Sequence, residues 1–517
     1  MKRLKTNCPS CGGPVEFQTG SALVTICEFC HTAVGRADRE VKDFGKVAEV
    51  GDPASGLARG VTGKWKGKHF TITGRVRYRH SGGGAWDEWY LSFPGDRWGW
   101  LAEAQGKFSL TMQRRMSKDS RLPDYDSVQL EQSITLKGVE LTVREKGVAV
   151  AEGAEGELPW EFHPGSDHLY VDLFGADKAV ATFEYGDGSA DAQQAAYLGS
   201  EVTLEELGVD LSTLDPDAGT KRIDSLQLNC PHCGGALALR APDESLRVAC
   251  PNCTSVSDAK DGKLSLFQTL HQKKIKPLIP LGSVGDFGDV KYTVIGFMER
   301  YATYEGRDYP WTEYLLYNRE TGFRWLVNNS SHWSLVGPVD KPPGSVGDEI
   351  TYDGDTFKIY DRGTAYVRYV LGEFYWKVTV GENVATSDYI CPPRMLSYER
   401  SGWGKSQEVT ISEGHYILPE EIEEKFGITG LPRPWGVGVI QPRPTPGAKF
   451  WLTWVGFFFY LLFAYAVIGA GKADGWLFFY AAIGVSVIPV VVMFYLHNFE
   501  VRRWRESDFS PYASSDD

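Results

Sequence analysis

The sequence predicts a mainly β protein built from two four-cysteine zinc ribbons, two duplicated β-barrel-like or sandwich-like domains that each end in a short helix, and a C-terminal two-helix transmembrane hairpin. Three observations carry this prediction. The hexapeptide CPSCGG at residues 8–13 recurs as CPHCGG at 230–235, blocks of similar sequence follow both copies, and two uncharged apolar runs lie near the C-terminus. The 16 Trp and 57 Gly residues favour strands and turns over a helical bundle.

Eight of the nine cysteines form two sets with nearly the same spacing, C-x2-C-x15-C-x2-C and C-x2-C-x16-C-x2-C. This spacing is typical of four-thiolate zinc sites. We therefore predict two structural Zn²⁺ ions as cofactors, without an open coordination position for catalysis. Disulfides and free core thiols are the alternatives, and a cytoplasmic location disfavours disulfides. The predicted ligands are Cys8, Cys11, Cys27 and Cys30 in the first set and Cys230, Cys233, Cys250 and Cys253 in the second.

The similarity between the two halves extends well beyond the cysteines. HFTITG at 69–74 matches KYTVIG at 291–296, and the 25 residues from 86 match those from 311 without a gap. Further on, GELPW at 156–160 matches GEFYW at 372–376, and VTLEEL at 202–207 matches ILPEEI at 417–422. The spacing between matching blocks changes only in Gly-rich or charged connections, where loops tolerate insertions. The chain is therefore a tandem duplication of a ribbon followed by a β-rich domain.

Within each copy, short β-rich runs such as FTITG, EWYLSF, LTV and ATFEY are separated by Gly and Asp and predict strands. LEELGV at 204–209 and PEEIEEKFGI at 419–428 predict the closing helices, since each has Glu in its first turn and Gly near its end. The predicted domains are ribbon 1 (1–35), β-rich copy 1 (53–210), ribbon 2 (226–256), β-rich copy 2 (275–429), a Pro-rich linker (430–449), transmembrane helices at 450–471 and 476–497, and a tail (498–517).

Trp86 with Glu88, and Trp311 with Glu313, recur at the same places in the two copies. Residues two apart face the same side of a strand, so each Trp shares a face with its Glu. We expect both Trp side chains to belong to the core, because large aromatics dominate β cores. Two interpretations of the glutamates stay open. Either they are exposed or paired with Arg, or they contact a cationic ligand or basic peptide in an aromatic cleft.

The two apolar runs at 450–471 and 476–497 are each long enough to cross a bilayer of roughly 30 Å, and a four-residue connection makes them a tight hairpin. Lys and Arg residues flank the hairpin on its outer sides, so the positive-inside rule places both termini in the cytoplasm. We predict a multi-pass protein of the bacterial inner membrane. Residues 450–471 and 476–496 contain no Asp, Glu, Lys, Arg or His, which favours an anchor over a transporter; an oligomeric pore is the alternative.

The blocks WTEYLL and GFRWL, the GE-x-x-W block and the ending SEGHYILPEEI (412–422) resemble a bacterial family of unknown function. That resemblance implies membrane-anchored β-rich domains paired with zinc ribbons. It also implies links to membrane-stress systems of the phage-shock type and to neighbours that include polyamine-synthesis enzymes. The family supplies no established catalytic residues. The first copy ends in YLGSEVTLEEL and lacks the SEG-x-Y pattern, so Glu413 of the second copy becomes a further candidate for binding a ligand or partner.

These features lead us to expect a membrane-anchored cytoplasmic scaffold or adaptor that binds protein partners, among them phage-shock-type membrane-remodelling proteins. A sensor or binder of a cation such as a polyamine, acting through the acidic Trp-rich domains, is the alternative. The net charge of −13 disfavours nucleic acid as a partner, since phosphate neutralisation dominates such binding. We also expect no enzymatic activity, because the chain contains no phosphate loop, nucleophile elbow or H-E-x-x-H motif.

Overall fold

The computed structural model describes residues 4–512 except 37–40, 49, 51–52, 54, 81–82, 116–121, 190–191, 193, 215–225, 242–243, 261–262, 269–273, 289, 340–346 and 404. Two ribbon-and-barrel units follow one another along the chain, and an apolar helix hairpin comes last. Residues 215–225, which lie between the two units, and residues 513–517 of the predicted tail lie outside the described residues.

The first ribbon consists of a two-stranded hairpin and a three-stranded antiparallel sheet. Its strands are β1 (Leu4–Asn7), β2 (Pro14–Phe17), β3 (Val24–Ile26), β4 (Thr32–Arg36) and β5 (Val41–Lys46). β1 pairs with β2, and β4 lies between β3 and β5.

The first barrel is a closed ring of eight antiparallel strands. This part of the chain contains ten strands, of which eight form the ring. They are β6 (Thr62–Trp65), β7 (Lys68–His80), β8 (Ala85–Phe93), β9 (Arg97–Ala104), β10 (Lys107–Arg114), β11 (Ser133–Leu136), β12 (Val139–Leu158), β13 (Asp167–Gly175), β14 (Ala179–Glu184) and β15 (Ala195–Val202). The ring runs β7–β8–β9–β10–β15–β14–β13–β12 and closes from β12 back to β7. β6 and β11 are short additions to β7 and β12.

The second unit repeats this architecture. Its ribbon strands are β16 (Leu226–Asn229), β17 (Ala236–Leu239), β18 (Arg247–Ala249), β19 (Val256–Lys260) and β20 (Lys263–Gln268). Its barrel strands are β21 (Val284–Phe287), β22 (Val290–Tyr304), β23 (Arg307–Asn318), β24 (Gly322–Asn329), β25 (His332–Pro338), β26 (Glu349–Tyr352), β27 (Asp355–Phe374), β28 (Asn383–Cys391), β29 (Arg394–Trp403) and β30 (Ser406–Ile417). The ring order is the same, β22–β23–β24–β25–β30–β29–β28–β27. The predicted tandem β-barrel architecture is confirmed.

The closing element differs between the copies. In the second unit, α1 (Pro419–Phe426) buries Ile422 and Phe426 against the barrel and ends at Gly427, whose φ is 62°. In the first unit, the predicted helix at 204–209 is wrong. Thr203 and Glu206 cap each other's backbone amides, but Gly208 already takes a φ of 59° and ends the segment after a single turn. The number of residues between the N-terminal cap and the terminating glycine sets the length of a helix, and this segment is too short to form one.

The two barrels pair edge to edge over a short stretch of their strands. Strands β12 and β30 pair over two residues, which places Glu145 opposite Glu408 and Lys146 opposite Gln407. The Lys107 ammonium of the first barrel also donates to the Val339 carbonyl oxygen of the second at 2.8 Å. The barrels therefore share a junction that carries two like-charged residues side by side.

Two apolar helices end the described chain. α2 (Ala448–Ala464) continues into a π-helical turn (Tyr465–Gly469), and α3 spans Trp476–Trp504. Each is long and apolar enough to cross a membrane. The two helices contact each other where the Trp454 indole donates to the Val485 carbonyl oxygen at 2.7 Å. Beyond the predicted span, the end of α3 reaches the second barrel, where Trp504 packs with Ile390 and Ile440.

The repeated GE-x-x-W block attaches each ribbon to its barrel. The Glu157 carboxylate accepts hydrogen bonds from Gln18 and Thr19 of the first ribbon. Its counterpart Glu373 accepts from the Arg240 and Ala241 amides, at 2.8–2.9 Å. The ribbon hairpins also extend the barrel sheets, since β3 pairs with β12 and β18 with β27. The block therefore has a structural role in both copies.

Replacing Glu373 by Ala should loosen the second ribbon from its barrel. The variant leaves the Arg240 and Ala241 amides and the Ser245 hydroxyl without their acceptor, and we expect a local loss of about 2–3 kcal/mol. Hydrogen–deuterium exchange of residues 244–260 measures it, with the exposed Glu349→Ala as the matched control. Unchanged protection of this segment in the Glu373 variant would contradict the role assigned to the block.

Candidate functional site

The two predicted cysteine sets each come together in space. The four Sγ atoms of each set lie within 4.8 Å of one another. The Cys8–Cys30 and Cys11–Cys27 sulfur distances are both 3.7 Å, and the corresponding distances in the second set are 3.7 and 3.8 Å. Four thiolates at about 2.3 Å from a tetrahedral zinc ion are about 3.8 Å apart, so both sets fit such an ion.

Backbone amides support the sulfur positions. Gly13 donates to Cys11 Sγ at 3.4 Å, and Asn252 donates to Cys250 Sγ at 3.3 Å. The chain turns tightly after the first knuckle, where the Gly12 amide donates to the Cys8 carbonyl oxygen at 2.9 Å. Such donors stabilise thiolates, so the arrangement favours metal binding over neutral thiols.

A much larger site lies between and within the barrels. It is a continuous cavity of about 2100 Å³ lined by residues of both copies. The predicted residues Trp86, Glu88, Trp311 and Glu313 all line this cavity. Each indole donates to the glutamate two residues later, at 3.1 Å in the first copy and 2.6 Å in the second. Both Trp side chains are partly buried, so each packs against the core and also lines the cavity.

The structure places the fifth predicted residue, Glu413, elsewhere. Its neighbours on β30, Ser412 and Gly414, line the cavity, whereas Glu413 belongs to the alternate face of the strand. There it accepts from the Arg394 guanidinium at 2.6 Å and lies 3.3 Å from the His415 imidazole. Glu413 therefore does not join the other predicted residues.

Each barrel contributes four carboxylates to the cavity at equivalent positions. We name them the first carboxylate cluster (Glu88, Glu145, Asp172 and Glu184) and the second carboxylate cluster (Glu313, Asp361, Asp388 and Glu399). Within the clusters, Glu145 lies directly opposite Asp172, and Asp361 directly opposite Asp388. Sequence reasoning found only Glu88 and Glu313. The other three pairs recur at spacings of 215–216 positions, so a residue-by-residue comparison of the repeats would have revealed them.

Burial perturbs the first carboxylate cluster strongly. Burial, with the nearby Glu184 carboxylate, raises the pKa of Glu88 to about 8. Burial also raises the pKa of Glu184 to about 7 and that of Asp172 to about 6. Burial, with Glu408 and Asp172, raises the pKa of Glu145 well above its usual range. Carboxylates gathered in this way bind a cation favourably, because the cation removes both the desolvation penalty and the mutual repulsion.

Aromatic rings stand beside these carboxylates. The Tyr78 and Trp86 rings stack with centroids 5.5 Å apart, and the Tyr170 ring meets Trp86 edge-on at 5.6 Å. The electron-rich ring faces attract cations. Among the described residues that line the cavity, fourteen are Asp or Glu and five are Lys or Arg. The cavity is therefore suited to positively charged occupants and disfavours anions.

Fold and site together define a tandem β-barrel protein with two four-cysteine clusters and an apolar helix hairpin. Two segments, residues 58–203 and 280–419, match the family model described as "Domain of unknown function (DUF4178)". Together they make up more than half of the chain, and the protein belongs to this family. The matched segments coincide with the two barrels.

No curated protein matches the chain. Among solved structures, a similarity is found to the complex structure of Pseudomonas aeruginosa MucA/MucB, at 8% sequence identity and a TM-score of 0.10, covering 70% of this chain and 94% of that one. At that TM-score the similarity indicates nothing about fold or function.

Replacing Cys230 by Ser should remove one of the two predicted metal ions. We expect about two equivalents per chain in the parent protein and about one in the variant, because three remaining thiolates leave the tetrahedron incomplete. Inductively coupled plasma mass spectrometry of protein purified without added metal measures the ratio. Cys391→Ser, which changes a cysteine outside both sets, is the control and should retain two equivalents.

The cavity carboxylates should make the ligand-free protein less stable as the pH rises. The pKa of Glu88 in the folded state, about 8, exceeds the value of about 4.3 for an unfolded chain, so between these values the folded state binds more protons. We expect Tm to fall by roughly 3–6 °C from pH 6 to pH 8. The Asp172 and Glu184 carboxyls and the Tyr78 and Tyr197 hydroxyls face the same group.

Glu88→Gln isolates this effect, because it removes one titrating group and keeps the shape of the side chain. Differential scanning calorimetry of both proteins in the same detergent should show a smaller fall in Tm between pH 6 and pH 8 for the variant than for the parent. The exposed Glu349→Gln should retain the full fall. Equal slopes in parent and Glu88→Gln would show that Glu88 does not titrate in this range.

Proposed function

We propose that this protein is a membrane-anchored binder of organic cations, and that the acidic, aromatic-lined cavity is its binding site. One observation carries the proposal: each repeat directs four carboxylates at equivalent positions into the same cavity. The chemical class that fits is a small molecule with ammonium or guanidinium groups, such as a polyamine.

The energetics of the site support this class. Like charges directly opposite each other in a sheet are destabilising, and this holds for Glu145 beside Asp172 and again beside Glu408. A cation between them converts repulsion into charge-assisted hydrogen bonds. The neighbouring Trp86 ring adds a cation–π contribution. Small-molecule sites commonly measure about 300–1,000 Å³, so this cavity is large enough for an extended ligand with several charges.

The remaining features would place the site at a membrane surface. We propose that α2 and α3 anchor the chain in the inner membrane, with Lys449 before the first span and Arg502 after the second on the cytoplasmic side. Both barrels would then face the cytoplasm. The two cysteine sets would hold zinc as a structural ion, since four thiolates leave it no open position.

An adaptor role for protein partners rests on the domain organisation of the chain, and its link to membrane-stress systems of the phage-shock type rests on the family resemblance alone. The absence of enzymatic activity likewise stays a prediction. The cavity favours cation binding over both, because its charge and aromatic lining are features of the molecule itself.

Isothermal titration of the full chain in detergent with spermidine tests the proposal. We expect binding, and we expect Glu184→Gln to weaken it by about 10–100-fold, which corresponds to one lost charge-assisted hydrogen bond. Glu413→Gln is the matched control, because this carboxylate is outside the cavity and should not affect binding. An uncharged analogue of similar length, 1,8-octanediol, should not bind. No heat of binding with millimolar spermidine at pH 8 would overturn the proposed function.

A further inference from the structure

The register of the strands reveals a charged difference between the two equivalent clusters. Trp86 on β8 lies opposite Tyr78 on β7. Trp311, the counterpart of Trp86, lies opposite Arg300 on β22. Tyr78 and Arg300 therefore occupy the same position in the two barrels, and a neutral phenol in one replaces a guanidinium in the other.

In the second barrel, Arg300 is held by the very groups that line the cavity. Its Nη1 donates to Glu399 Oε1 at 2.7 Å and to Glu313 Oε1 at 3.3 Å. Its Cζ atom lies 5.8 Å from the centroid of the Trp311 ring. The side chain is buried, with 8% of its surface exposed. The second carboxylate cluster thus binds a cation, and that cation belongs to the chain itself.

The first barrel has the same receptors without the guanidinium. Glu88, Glu184 and Trp86 are the counterparts of Glu313, Glu399 and Trp311, respectively. Across the described residues, no Lys or Arg forms an ion pair with Glu88, Asp172 or Glu184. At the position equivalent to Arg300, the first barrel has Tyr78, whose ring stacks on Trp86 and carries no positive charge.

Resting on the proposed function, we propose that the first barrel binds the ligand's guanidinium or ammonium group between Glu88, Glu184 and the Trp86 ring, as the second barrel binds Arg300. The Arg300 side chain itself occupies the equivalent position in the second barrel, so a ligand cannot bind there. One chain therefore takes up one cationic head group at this position, and the two repeats have different roles: the first receives the ligand, and the second is occupied internally.

Two substitutions distinguish the sites. Tyr78→Arg introduces into the first barrel the side chain that the second already has, and the new guanidinium should pair with Glu88 and Glu184. We expect this variant to lose binding and at the same time to gain thermal stability, because a tethered cation replaces the free one. A misfolded variant would lose stability instead. Glu349→Arg introduces the same side chain at an exposed position outside the cavity and is the matched control, with binding retained.

Butylguanidinium is the probe, and butylurea, a neutral compound of the same shape, is its control. Isothermal titration of the full chain in detergent at pH 8 should give one site per chain for butylguanidinium and none for butylurea. Binding should weaken by at least 10-fold in Glu88→Gln. Arg300→Ala should lose thermal stability and recover it with millimolar butylguanidinium, which can fill the vacated position.

The outcomes separate this inference from the proposed function. If butylguanidinium and spermidine both bind Tyr78→Arg as tightly as the parent, the ligand binds elsewhere in the cavity and only the present inference is overturned. Two equivalent sites in the parent would also overturn it, since Arg300 would then not close the second site. If neither compound binds the parent, both proposals are wrong.

Discussion

The structure depends on the close approach of two strands where each barrel closes. Gly74 on β7 meets Gly156 on β12, and in the second copy Gly296 meets Gly372. A Cβ atom added at Gly74 would lie 2.0 Å from the Glu157 carbonyl oxygen, and one at Gly296 would lie 2.5 Å from that of Glu373. Only glycine allows this contact. From this crossing the long strand continues to the glutamate that holds the ribbon, so barrel closure and ribbon attachment share one constraint.

Ring closure has an electrostatic consequence. The four carboxylates of each cluster come from four different strands and meet only because the sheet curves back on itself. Burial raises the pKa values of the first cluster into the range of about 6–8 for Asp172, Glu184 and Glu88. The second cluster offsets part of this cost with Arg300, whose pKa is raised by Glu399 and Glu313 although its burial acts in the opposite direction. The duplicated fold thus buries an equivalent group of carboxylates in each barrel. In the second barrel the chain itself supplies a counterion.

Comparison of prediction and structure shows which patterns were informative. The Trp and Glu pairs at 86–88 and 311–313 were identified from their recurrence. Glu313 is paired with Arg300, as one interpretation of the glutamates expected, whereas Glu88 lines the cavity and its contact with a cationic ligand stays a prediction. The GE-x-x-W block was recognised as repeated, but its role in docking the ribbon became apparent only from the contacts of Glu157 and Glu373. Glu413 was selected because its motif is absent from the first copy. In the structure, Glu413 forms an ion pair with Arg394 away from the cavity, so the motif difference does not mark a ligand site there.

The sequence by itself determined the duplication, the two cysteine sets, most of the strands and the two apolar helices, because each of these is encoded in local spacing or composition. Only the tertiary structure decided which carboxylates share a cavity and which of them already have a cation. Arg300 and Glu399 are 99 positions apart, and their contact follows from ring closure between β22 and β27 and the order of the strands beyond it. Long-range pairing of this kind depends on how strands assemble, and no local pattern in the chain records it.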